Sequence, residues 1–172
     1  MNEDYEIKEW FSEYYNDIYN FLIYYTGAKD VEDLVQETFV KAVRNIHKYK
    51  GNSNPKTWLI SIARNIAIDE SRKRRKEEKK RFHLKQLNGE RMTSNSPEEI
   101  VQLDEMKAEL YLAMRRLRQT YYDVLMLRGI NELSVQETAQ ALNWSKNKVN
   151  LTYHRALKAL EKKLGGIPDG KF

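Results

Sequence analysis

Two small all-α domains, a helical bundle and a helix-turn-helix, joined by a flexible basic linker, are the fold class that the sequence predicts. Three observations lead there. Apolar residues recur at three- and four-residue steps almost throughout, while the alternation of a strand is scarce. The stretch from Phe82 to Pro97, "FHLKQLNGERMTSNSP", loses that periodicity and gathers Asn, Ser, Thr and Gly, as a linker does. A chain of 172 residues suffices for one domain or two small ones, since domains typically hold about 50 to 250 residues. The expected division is 1–80, a linker over 81–100, and 101–166.

The elements follow in order. Ile7, Trp10, Phe11, Tyr14, Ile18, Phe21, Leu22 and Tyr25 make one apolar stripe, which Gly27 ends. Asp30 is placed to cap the next helix, with Glu32 and Asp33 in its positive first turn. Its buried face is Val31, Leu34, Val35, Phe39, Ala42, Val43 and Ile46, and its opposite face Asp33, Gln36, Glu37 and Val40. In "SNPKTW" Asn54 is a natural N-cap, and Pro55 suits the first helical position because its missing N–H would go unpaired anyway. Leu59, Ile62, Ala63 and Ile66 then face a core. This helix runs into "RKRRKEEKKR", with eight bases and two acids, and the following linker has a partly helical beginning. Pro97 starts a second block with Leu103, Met106, Leu110, Ala113, Met114 and Leu117 on one face. Thr120 opens a short helix containing Val124, Leu125 and Leu127, with Gly129 as its terminator.

In "LSVQETAQALNWSKNKVNLTYHRALKAL" the run Ser-Val-Gln-Glu at 134–137 is a capping box. Asn143 suits the left-handed conformation that closes that helix. Ser145 caps the next, with Trp144 and Val149 at the two staple positions. A three- or four-residue connection is that of a helix-turn-helix. On the second helix Val149, Tyr153, Ala156, Leu157, Leu160 and Leu164 form the buried stripe. Lys146, Asn147, Asn150, Leu151, His154, Arg155 and Lys158 remain outward, where a recognition helix needs polar and basic groups for base edges and phosphates. An ordinary surface helix of a bundle would share this spacing.

Composition narrows the function. No run of roughly 20 apolar residues spans a membrane, and the acidic start "MNEDYEIKEW" lacks the order of a signal peptide, so a cytoplasmic protein is expected. The absence of cysteine removes disulfides, thiolate zinc sites and thiol nucleophiles. The three scattered histidines argue against a His-rich metal cluster. Residues 1–40 carry ten acids against two bases, whereas residues 41–81 carry fourteen bases against four acids. That asymmetry suggests two partners, one a basic protein surface and the other a polyanion, although charge runs also simply solvate helices.

On the third helix Trp58, Ser61, Asn65 and Arg72 share a face. An indole, an amide and a guanidinium stack on, hydrogen-bond to and electrostatically hold unpaired bases; the alternative for Trp58 is a place in the core. The loop "KYKGNSNPK" suits a displaced strand, and a captured flipped base favours opened over closed duplex. Asp33 and Glu37, four apart, could hold a divalent metal for phosphodiester cleavage. No third acidic or His ligand has convincing spacing, so a contact with a basic protein surface is the better reading of these acids.

"DLVQETFVKA" followed by "YKGNSNPKTWLISIARNIAIDESRKRR" resembles region 2 of the extracytoplasmic-function (ECF) group of bacterial sigma-70 family sigma factors, and the helix-turn-helix stretch resembles region 4 of the same group. The resemblance covers about four fifths of the chain. It implies that Asp33, Leu34, Gln36 and Glu37 dock on the beta-prime clamp helices of core RNA polymerase. It implies that Asn52, Ser53, Lys56, Trp58, Ser61, Arg64 and Asn65 read the promoter minus-ten element as single strand, Asn65 helping to hold an extruded base. The helix from Ser145, with Lys146, Asn147, Lys148, Asn150, Leu151, His154, Arg155 and Lys158, would enter the major groove at the minus-thirty-five element. Relatives commonly carry G-T-V-K-S-R where this chain has "NKVNLT"; Val149 and Arg155 match, and Asn147, Asn150 and Leu151 depart, so base preference does not carry over. Further implied are contact with the polymerase beta flap, a linker along the RNA-exit path, and room for a membrane-bound anti-sigma factor. No cofactor, metal, catalysis or small-molecule substrate is expected. The rival reading is a polymerase-independent helix-turn-helix regulator that binds closed duplex.

Overall fold

The computed structural model describes residues 3–89 and 104–165. The described residues divide into two compact units, 3–49 with 59–89, and 50–58 with 104–165. Helix α1 (Glu3–Thr26) and α2 (Glu32–Asn45) pack on one another, and α3 (Pro55–Leu87) follows a 3-10 turn over Ile46–Lys48.

The first unit buries Ile7, Ile18, Phe21, Leu22 and Tyr25 from α1, Val35, Phe39 and Ala42 from α2, and Leu59, Ile60, Ala63, Ile66 and Ala67 from α3. Each large apolar side chain so buried contributes about 1.5–3 kcal/mol against exposure. Rings at the periphery meet edge to face, Phe11 with Phe39 at 4.8 Å and Trp10 with Tyr49 at 5.0 Å between centroids. Gly27, at φ 72°, ends α1, and its amide donates to the Ile23 carbonyl. The α2 start lies one residue beyond the expected cap: Val31 holds the cap position, while the Asp30 carboxylate accepts the Glu32 amide at 3.0 Å. Asn54 and Pro55 open α3 as expected, the Asn54 Oδ1 accepting from the Lys56 amide at 2.9 Å.

Several expected core positions in this unit differ, Trp10, Tyr14, Leu34 and Ile46 among them, which are half-buried. Val43 is 44% exposed, because it follows the outward side of α2 three residues beyond the exposed Val40, while Ala42 beside it takes the core position. Phe11 lies at the margin, 42% exposed, with its ring against Phe39 and Tyr15. Ile60 rather than Ile62 is fully buried, so the inward face of α3 is a wide arc. The helix also continues without interruption through the basic run and into the expected linker as far as Leu87, 33 residues in all. From Arg72 onward its side chains are almost all exposed.

In the second unit α4 (Glu105–Arg115) is capped by Asp104, whose carboxylate accepts the Lys107 amide at 2.9 Å. The expected helix start at Pro97 and the core position Leu103 lie outside the described residues. Tyr111, Ala113 and Met114 are buried, whereas Met106, one residue into the helix, is 83% exposed. Helix α5 (Gln119–Val124) begins one residue before Thr120 and runs into a π-helical turn over Leu125–Ile130. Gly129 lies inside that turn and does not terminate it. The Asn131 side chain and amide both reach the Met126 carbonyl (2.8 and 2.9 Å), Arg128 Nη1 holds the Leu133 carbonyl at 3.0 Å, and Glu132 takes the positive φ.

The next two helices, α6 (Val135–Leu142) and α7 (Lys146–Lys163), match the expected punctuation closely. The capping box is complete, Ser134 N–H to Glu137 Oε2 at 2.7 Å and Glu137 N–H to Ser134 Oγ at 3.1 Å. Asn143 is left-handed, and the Trp144 amide closes back on the Ala139 carbonyl at 2.9 Å. Ser145 Oγ accepts from the Lys148 amide at 3.2 Å. On α7 Val149, Ala156 and Leu160 are buried and Tyr153 and Leu164 half-buried; Leu157, expected inside, is exposed at the edge of the stripe.

Candidate nucleic-acid interface

Helix α2 puts Asp33, Gln36 and Glu37 on its exposed face with Val40, and half-buries Leu34 beneath them. Glu37 pairs with Lys41 at 3.1 Å along the helix. This face is acidic at its leading end, where the helix dipole favours negative charge. Among the described residues no group of three His, Cys, Asp or Glu side chains could hold a metal ion.

Along α3, Trp58, Ser61 and Arg64 are half-buried and Asn65 is exposed. Trp58 is thus neither a fully buried core indole nor an exposed one. Arg64 Nη1 donates to Asn65 Oδ1 at 2.9 Å. That bond occupies the carbonyl oxygen of the carboxamide and leaves its N–H2 group the chemistry of a donor to a base edge. Lys56 and Ser53 are half-buried, and Asn52 is exposed in the loop with Gly51, whose φ of 70° lets the chain turn there. Beyond them α3 carries Arg72 and Arg74, each tied to an acid one turn back, Asp69 at 4.0 Å and Glu70 at 3.4 Å. Exposed pairs of this kind contribute little to stability, so both guanidiniums are readily given up to a phosphate.

The outward side of α7 comprises Lys146, Asn147, Asn150, Leu151, His154, Arg155 and Lys158, every one exposed, opposite the buried stripe. Two bases near its start are engaged locally: Lys146 Nζ reaches Gln136 Oε1 at 3.3 Å, and the Lys148 ammonium lies 4.1 Å from the centroid of the Trp144 ring. Trp144 is half-buried and Val149 fully buried at the positions of the hydrophobic staple. The sequence reading passed over Arg116 and Arg118, exposed cations at the junction of α4 and α5. Arg118 stacks on Tyr121 at 3.9 Å. Their signal was the Arg-Arg-x-Arg run at 115–118, hidden by its place between two apolar stripes.

Helix α3 offers an exposed carboxamide at Asn65, and the helix-turn-helix has a second helix that presents amides and cations. The first suits splayed bases and the second a groove.

The model of sigma-70 region 2 matches residues 10–77 and that of sigma-70 region 4 matches residues 107–160. Among curated relatives, the ECF RNA polymerase sigma factor SigX of Bacillus subtilis is 36% identical over 152 residues, covering 87% of this chain and 78% of SigX. RNA polymerase sigma factor YlaC of the same organism is 33% identical over 161 residues, covering 92% and 91%. Among solved structures, the sigma factor RpoE in complex with the anti-sigma factor NepR, from Bartonella quintana, is similar in fold. It has a TM-score of 0.65 at 24% identity, with 92% of this chain and 96% of that one covered. Paired region 2 and region 4 matches in one short chain, with relatives of this identity and coverage, place the protein in the ECF group of the sigma-70 family, the alternative sigma factors that direct promoter-specific transcription initiation.

Proposed function

We propose that residues 1–80 act as the region that binds polymerase and opens the promoter, that residues 101–166 grip upstream duplex, and that residues 81–100 connect them through the RNA-exit path. Asp33, Gln36 and Glu37, over Leu34, form the contact with the beta-prime clamp helices, and the second region reaches the beta flap. Asn52, Ser53, Lys56, Trp58, Ser61, Arg64 and Asn65 take the minus-ten element as single strand. Extruding a base costs a few kcal/mol, and stacking on an aromatic ring returns about 1–3 kcal/mol per base. Held bases therefore bias an equilibrium that polymerase contacts and released counterions complete. Ser145, Lys146, Asn147, Lys148, Asn150, Leu151, His154, Arg155 and Lys158 address the minus-thirty-five element, and Arg116 and Arg118 supply phosphate contacts.

The observation that supports this reading best is the outward face of α7, exposed along its length opposite a buried apolar stripe, together with the exposed Asn65 on a half-buried polar face of α3. The chain performs no catalysis itself and works in the cytoplasm; none of the described helices is long and apolar enough to cross a membrane. An anti-sigma factor masks its surfaces until induction, a proposal supported by RpoE with NepR and by CnrH with the cytosolic domain of CnrY.

Reconstitution with sigma-free core polymerase and genome-wide run-off transcription tests the function. Defined start sites that appear only when the chain is added are expected; unchanged transcription would refute it. A gel shift with and without core separates the rival, since a polymerase-independent regulator would bind closed duplex tightly alone.

A further inference from the structure

The outward arc of α7 is polar except at its centre. Leu151 is 52% exposed there, one turn from Asn147 on one side and from Arg155 on the other. At about 100° per residue it sits about 160° round the axis from Val149, which is fully buried. The core therefore makes no use of this leucine, and a polar residue would serve solvent better. Its neighbours are groups that address nucleic acid: carboxamides at Asn147 and Asn150, an imidazole at His154 and a guanidinium at Arg155.

The base edges in a major groove offer donors, acceptors and one hydrocarbon, the 5-methyl group of thymine. An isobutyl group can neither donate nor accept. Set over guanine, adenine or cytosine edges it would displace water from N7, O6 or an amino group without replacing the hydrogen bonds. Over thymine it buries a methyl group instead. We propose that Leu151 is a specificity-determining residue that reads a thymine of the upstream element through its 5-methyl group. This inference rests on the proposed placement of α7 in the groove of that element. The adjacent asparagines have the donor–acceptor pair that matches adenine N7 and N6, so the contact fits an element containing A·T pairs.

The test uses the holoenzyme reconstituted from the full chain and sigma-free core polymerase. Promoter duplexes are enriched from a library randomised across the upstream element, then resynthesised with each thymine of that element replaced in turn by deoxyuridine, which removes only the methyl. With the wild-type chain, one such exchange should weaken retention of the duplex about fourfold, the factor for burying one methyl-sized group. Leu151→Ala should bind the thymine and uracil duplexes alike. Leu157→Ala, altering an exposed leucine about 120° away round the same helix, should keep the discrimination and controls for loss of surface hydrocarbon. An enriched element without thymine, indifference of the wild type to every exchange, or discrimination that survives Leu151→Ala would overturn the inference while leaving promoter reading intact. Failure to enrich any upstream sequence would instead overturn the placement of α7, and the inference with it.

Discussion

Tyr122 is a phenol buried beside a guanidinium, and the two environments pull in opposite directions. Burial pushes its hydroxyl up to about 12, and the charge and hydrogen bond of Arg115, which favour the ionised form, do not offset it. Below pH 10 the phenol is neutral in folded and unfolded chain alike, and the environment that raises its pKa contributes in full. Between pH 10 and about 12 the unfolded chain loses the proton and the folded chain keeps it, so stability falls by about 1.4 kcal/mol per pH unit. Urea midpoints should therefore drop above pH 10 in the wild type and fall less steeply in Tyr122→Phe; parallel slopes would reject the assignment. Asn65 behaves differently, since its exposed carboxamide is held by Arg64 and supports nothing in the core. Asn65→Ala should leave stability within about 0.5 kcal/mol and core binding unchanged, while permanganate reactivity of promoter thymines falls several-fold. Single residues with one physical task were legible in the sequence: Gly27 and Asn143 for left-handed backbone, Ser134 and Ser145 for orphan amides. Tyr111 and Tyr122 were not read as core, because each lies close to, but not among, the apolar residues that defined the stripe of its helix.

At the scale of elements, the caps carry what the short helices cannot supply for themselves. A helix of eight residues such as α6 is far below the length at which propensity alone sustains it. Its capping box and left-handed close, with the buried Thr138, Ala139 and Leu142, fix where it starts and stops. Ser134→Ala and Ser145→Ala should each cost about 1 kcal/mol in urea unfolding, and the pair should be close to additive because the two caps serve different helices. A loss below a few tenths for either would show that packing, not the cap, sets that boundary. Element existence was legible because a 3.6-residue period survives local noise. Boundaries and stripe edges were not: the π-helical turn at Leu125–Ile130 shifts the register after α5, Met106 falls in the first turn of α4, and Val43 lies at the edge of its stripe on the side of Val40. Gly129 misled for the same reason, since a glycine within a π turn has the composition of a terminator and the geometry of a helix.

Over the whole molecule, charge is sorted along the chain, with a surplus of acid before residue 41 and of base from there to residue 81. A field of this kind steers association and selects partners of opposite sign more than it stabilises the fold. Asp33→Lys with Glu37→Lys should weaken attachment to core polymerase about tenfold at moderate salt, measured by co-purification or competition against another sigma factor. The thermal midpoint should barely change, because the lost Glu37–Lys41 pair lies on the surface. Unaltered attachment would dismiss the acidic face as a contact. The two-unit, all-helical plan and the outward face of α7 were legible from periodicity and charge together. The continuation of α3 through the basic run and into the beginning of the expected linker was legible too, but its end at Leu87 was not, because the apolar periodicity is already lost from Phe82 onward. That helix spans about 50 Å at 1.5 Å per residue, and its distal half has almost no burial to lose. Its final turns are free to unwind one at a time, and each residue released lengthens the tether by about 2 Å. On the proposed placement of the two regions, a promoter whose two elements stand a base pair nearer or farther apart would be met by spooling out or rewinding this rod, whose exposed turns bury little.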